Sequence, residues 1–177
     1  MKIAICRPGR AAAVVLSVAV VLVLLAVPSA QAIPISGSQG LEGLGSFTGS
    51  FDYSFAAGVG TVTVVLNNTG IDDPGGIVTA FVFNIPDAAS VSGATLSSTN
   101  SAFGLLGDPT FDNGVTGSPF GQFDIGASLG SDFEGGGTPG PGIGYLQSAT
   151  FIFLLSGDGL GSLVADDFLN PLSVGPG

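Results

Sequence analysis

From Ser46 onward, apolar and polar residues alternate with period two, the spacing that sends successive strand side chains to opposite faces. Phe47, Phe51, Tyr53 and Phe55 occupy odd positions, with Thr48, Ser50, Asp52 and Ser54 between them. This predicts a strand over Ser46–Ala56 whose aromatic side faces a core, with a sugar-stacking platform as the competing reading. After a turn at Gly58-Val59-Gly60, Thr61–Asn67 predicts a second strand with β-branched residues on both faces. Ile77–Ile85 (IVTAFVFNI) is apolar on both faces and predicts a central strand, ended by Pro86-Asp87. Ser90–Ser97 is a candidate short strand. Phe120–Ala127 predicts a weaker one with Phe123 and Ile125 inward. Tyr145–Leu155 predicts the strongest, with Tyr145, Gln147, Ala149, Phe151, Phe153 and Leu155 on one face.

Turn chemistry separates these runs. Asn68–Gly76 contains Asp-Asp-Pro-Gly-Gly, 103–119 is irregular, and 130–144 is a long Gly-rich loop. Asp112-Asn113-Gly114 between Phe111 and Val115 predicts a tight hairpin turn. Gly157–Gly161 reads as a turn, and Ser162–Leu169 as one helical turn capped by Ser162. No segment sustains a helical period, and no internal repeat is present. The expectation is an all-β fold: a single antiparallel β-sandwich or jelly-roll-like domain over 46–169, with a flexible lead at 33–45 and a short tail at 170–177.

The start of the chain follows a different pattern. Lys2, Arg7 and Arg10 precede an apolar run from Ala11 to Val27, and Ala30-Gln31-Ala32 has the small-x-small form of a cleavage site. Residues 1–32 therefore read as a secretory signal helix, with a retained membrane anchor as the competing reading. Cleavage removes every Lys and Arg and the one Cys, Cys6, whereas all 13 carboxylates follow from Glu42 on. The exported chain would carry a side-chain charge of −13, with no His, Lys, Arg, Cys or Trp. No side chain could neutralise phosphate, so nucleic acid is excluded as a partner. An anionic membrane surface would repel the chain, and no stable membrane insertion is expected after cleavage. No disulfide can form. The 13 Phe supply a core, and the 30 Gly, all but one after the signal, favour turns over helices.

Candidate chemistry is correspondingly narrow. Gly126-Ala127-Ser128-Leu129-Gly130 matches the nucleophile-elbow pattern, but the chain after residue 32 has no His or Lys to deprotonate Ser128, so a turn is expected. Carboxylate pairs leave glycoside hydrolysis as a minor alternative. Ca²⁺ needs only oxygen ligands, and acids in Gly-rich turns could supply them. The first candidates are Asp132 with Glu134, then Asp72 with Asp73. Asp108, Asp112 with Asn113, Asp158 and Asp166 with Asp167 follow. The preferred reading of these acids is solvated charge that keeps an apolar protein soluble. Asn67-Asn68-Thr69 forms a glycosylation sequon and reads as a turn.

The succession of an aromatic strand, VTVVLNNTG, GIVTAFVFNIPD, FDIGASLGSDFEGGGTPGPGI, SATFIFLLSGD and ADDFL resembles a group of secreted bacterial proteins that commonly carry a C-terminal PEP-CTERM sorting signal. The resemblance covers roughly Phe47 to Leu169. It implies export to the extracellular space or cell surface and a link to exopolysaccharide or biofilm production, mostly without an assigned biochemical activity. The family usually continues past ADDFL with another strand and then the sorting signal. Here Asn170–Gly177 follows, so exosortase processing is not expected, and a missing strand would leave an edge open to self-association. The expected function is that of a non-catalytic, secreted, matrix-associated structural protein. The alternative is a Ca²⁺-dependent carbohydrate-binding module with extracellular polysaccharide as partner.

Overall fold

The structure is a computed structural model that describes residues 32–37, 46–70, 76–118, 120–133 and 140–169. The expected signal, most of the lead after Gly37 and the tail lie outside the described residues. Among the described residues, ten strands form three antiparallel sheets. The largest has five strands in the order β1 (Ile33–Gly37), β2 (Phe47–Ala56), β3 (Val59–Asn68), β10 (Ser148–Asp158) and β5 (Ser90–Ser98). A second has β4 (Ala80–Phe83), β9 (Ile125–Ser128) and β6 (Gly104–Leu106); a two-stranded ribbon pairs β7 (Val115–Thr116) with β8 (Gln122–Phe123). Two 3₁₀ turns, Leu160–Ser162 and Ala165–Leu169, close one end. No helix among the described residues is long and apolar enough to cross a membrane.

The expected all-β sandwich is observed, and its core lies where the alternation placed it. The inner face of the large sheet presents Phe51 and Tyr53 from β2, Val62, Val64 and Leu66 from β3, and Ala149, Phe151, Phe153 and Leu155 from β10, all buried. Phe81 and Phe83 of β4 meet them edge-on: Phe81 lies 4.7 Å from Phe151 and Phe83 lies 5.2 Å from Phe153, between ring centroids. Phe168 from the last 3₁₀ turn completes the cluster against Tyr53 at 4.9 Å. Edge-to-face pairs set positive ring edges against negative faces and add about 0.5–1.5 kcal/mol each beyond area burial. Phe55 is 43 % exposed, so the aromatic face of β2 is core at its centre and surface at its end.

Several expectations need correction. Ile33–Gly37, expected in a mobile lead, forms the edge strand β1 in register with Phe47–Phe51. Ile77–Ile85, expected as a central strand, supplies only the four-residue β4 at an edge of the small sheet. Its apolar residues are drawn in several directions: Val78 bridges to Ile143, and the Ile85 N–H donates to the Asp124 carboxylate instead of a strand partner. The strand expected over Phe120–Ala127 splits at Asp124, with β8 pairing to β7 and β9 sitting between β4 and β6. Tyr145 and Leu146 precede β10 in a turn. The Gln147 N–H donates to the Gly144 carbonyl, and Leu146 has φ +57°, which no strand accommodates. The sequon lies at the end of β3 rather than in a turn. Asp112-Asn113-Gly114 does not join two strands: β7 pairs only with β8, through residues 117–121. Gly157 and Asp158 carry β10 into the segment expected as a turn, and Ser162 ends a 3₁₀ turn without capping one.

Candidate functional site

Of the acids singled out for a cation, Glu134, Asp72 and Asp73 lie outside the described residues. Asp132 is exposed on the turn after β9, where its backbone carbonyl accepts a hydrogen bond from Ser128 Oγ at 2.7 Å. Among the described residues, no three His, Cys, Asp or Glu side chains stand close enough to share a metal ion.

The Ser128 motif is structural. Ser128 is fully buried at the end of β9, and its hydroxyl also accepts from the Gly130 N–H at 3.0 Å. That arrangement closes a serine turn, in which the hydroxyl both donates to and accepts from backbone. Gly126 sits at the centre of β9, where an added Cβ would collide with the Phe81 carbonyl oxygen. The glycine and serine of the pattern thus serve close strand packing and a turn.

The built polar site of the molecule is elsewhere. Asp124, between β8 and β9, is the one buried charged side chain among the described residues, at 7 % exposure. Its Oδ2 accepts the Ile85 N–H at 2.7 Å and its Oδ1 accepts the Asn113 N–H at 2.6 Å. The carboxylate therefore ties the β4–β5 connection to the loop that follows β6. That loop folds tightly around it. The Gly107 carbonyl accepts from the Thr110 and Phe111 N–H groups. Gly107 has φ +102°, and a side chain there would strike the Asp124 carbonyl oxygen. Asn113 is left-handed at φ +53°, a conformation Asn tolerates, and its Nδ2 donates to Asp112 Oδ1 at 2.9 Å.

A cleft of about 380 Å³ opens above this staple. Asp87 and Asp112 lie exposed along it, and Asp124 and Asn84 form part of its wall. Asn84 is 7 % exposed, and its Oδ1 is buried without a hydrogen-bond partner. An amide oxygen left so costs about 1–3 kcal/mol. Of the acids named as cation candidates, Asp112 lines this cleft. Asn84, Asp87 and Asp124 were missed. The signal for two of them was present: Asn84 and Asp124 each interrupt an apolar run, and a polar group placed inward must find a partner.

Burial raises Tyr53 above its usual pKa of 10.0, and its hydroxyl donates to the Leu160 carbonyl at 2.8 Å. No protein-family model, no curated protein and no solved structure matches this chain.

Proposed function

We propose that the protein is an exported, non-catalytic structural component of an extracellular matrix, of the exopolysaccharide- or biofilm-associated kind its sequence resembles. One observation carries the non-catalytic part. The buried carboxylate of Asp124 and the hydroxyl of Ser128, the groups best placed to resemble chemistry, are each held in two hydrogen bonds to backbone. A general acid or nucleophile must instead be free to exchange a proton with substrate. The leader-like residues 1–32 and the cation-free chain that follows support export and an acidic, hydrated setting. Purified protein offered a panel of glycoside and ester substrates is expected to show no turnover above blank, while co-sedimenting with extracellular polysaccharide from a producing culture. Turnover abolished by a single carboxylate substitution would contradict the reading.

A further inference from the structure

The two sheets of the sandwich end on β1 and β5, and on β4 and β6. Strands β4 and β6 offer only four and three residues. Strand β1 is blunted by its sequence. The Thr69 N–H donates to the Ser46 carbonyl at 2.9 Å. From there the antiparallel register turns the backbone groups of even-numbered β2 residues to β3 and those of odd-numbered ones to β1. Ile33, Ile35 and Gly37 therefore bond to β2, whereas Pro34 and Ser36 face outward, and Pro34 has no N–H to offer. Strand β5 carries none of these devices. The Thr99 N–H donates to the Thr150 carbonyl at 3.0 Å, so along the unbroken register from Gly93 to Ser98 the backbone of Gly93, Thr95 and Ser97 bonds to β10. The N–H and C=O groups of Ala94, Leu96 and Ser98 point away from the sheet, and among the described residues they have no backbone partner. The strand is nine residues long without a proline. It lies in a stretch from Ala88 to Gly107 that holds no charged residue, in a chain of net charge −10.

We propose that this edge joins two copies of the chain, β5 to β5 and antiparallel, about a two-fold axis at Leu96. The chemistry of the edge selects a strand as its occupant, because a row of outward N–H and C=O groups is completed by another such row. Two copies of so acidic a chain approach closely only where charge is absent, as it is here. The row is also self-complementary. With Leu96 opposite Leu96 of the second copy, Ala94 stands opposite Ser98, and each of these residues exchanges both backbone bonds with its counterpart. Thr95 then faces Ser97 across the exposed side of the sheet, a pairing of small hydroxyl side chains that fits without strain. The joined sheet ends on β1 at both sides, where Pro34 blocks further addition, so the association closes at two. This pairing stands or falls independently of the matrix reading.

The test is the solution mass of the purified full chain by sedimentation velocity, from about 1 μM to about 1 mM, in low and in high NaCl. The mass is expected to double with rising concentration, and the dimer to strengthen with salt, which screens the repulsion between two acidic molecules. Thr95→Lys with Ser97→Lys sets like charges opposite one another across the pairing and is expected to weaken it roughly tenfold or more. Both positions are exposed, so the melting midpoint of the dilute monomer is expected to stay unchanged. Since the lysines lower the net negative charge, general repulsion does not explain that loss. Thr95→Glu with Ser97→Glu is expected to dissociate the dimer as well, and mixing the two variants to restore it, because Lys then faces Glu. Ser36→Lys on the β1 edge is the control and is expected to leave the dimer intact. A wild type that stays monomeric over the whole range would overturn the proposal. So would a dimer that survives the Lys pair, that dissociates in salt, that Ser36→Lys abolishes equally, or that the mixture of variants fails to restore.

Discussion

Single polar side chains fix much of this molecule by capturing backbone groups that no strand satisfies. Asn68, at 2 % exposure, donates from Nδ2 to the carbonyls of Gly76 and Ile143 and accepts the Gly70 N–H at Oδ1. Its carbonyl also receives the Leu146 N–H, which helps hold that residue in its left-handed conformation. Tyr53 acts similarly on the 3₁₀ turn at Leu160–Ser162, through its hydroxyl on the Leu160 carbonyl. Tyr53→Phe leaves that carbonyl without its partner and is expected to cost about 1–3 kcal/mol in denaturant unfolding. Because burial raises the folded-state pKa, the unfolded chain loses this proton first, near pH 10.0. The stabilisation is therefore full below pH 10.0 and declines as pH rises through the higher folded value. Melts across that alkaline range should show a decline in the wild type from which the Tyr53 contribution is missing in Tyr53→Phe.

At the scale of elements, alternation was informative wherever a strand has one buried face. The centres of β2 and β10 and their inward residues follow directly from it, whereas β3 read as β-branched on both faces and its inward Val62, Val64 and Leu66 emerge only in the structure. Alternation failed where backbone hydrogen bonds, rather than side-chain faces, decide. The run IVTAFVFNI looks continuous, yet the Asp124 carboxylate takes the Ile85 N–H and Pro86 has none, so the ladder stops at Phe83. Phe120–Ala127 looks continuous as well, but Asp124 turns inward to two amides and the chain changes sheets there. Strand β9 is covered on both edges, and its closest approach to β4 runs over Gly126. Gly126→Ala would force the Phe81 carbonyl and β4 away and is expected to cost about 1–3 kcal/mol of overpacking strain. Chemical denaturation should show it as a lowered midpoint with an unchanged slope.

For the whole molecule, the excess of carboxylates without a single cation after Arg10 is its distinctive physical property. It was legible from composition, and the all-β class from the spacing of apolar residues and turns. The site was only partly legible. The acids were sorted by their Gly-rich turns, which put Asp132 and Glu134 first. The cleft is assembled instead from an inward Asn, a sheet-switching Asp and two exposed Asp from separate loops. Such a meeting depends on tertiary closure between the β4–β5 connection and the loop after β6, which local spacing does not encode.

That closure rests on Asp124, and the account holds that its carboxylate is structural. The most direct test is the unfolding free energy of Asp124→Asn against wild type. The amide keeps the shape but replaces one acceptor with a donor that faces a backbone N–H. One charge-assisted hydrogen bond is lost and the other weakened, for an expected loss of about 2–4 kcal/mol. Unchanged or increased stability would contradict the account, because a buried carboxylate that the fold does not need is what a functional group kept at a cost to stability looks like.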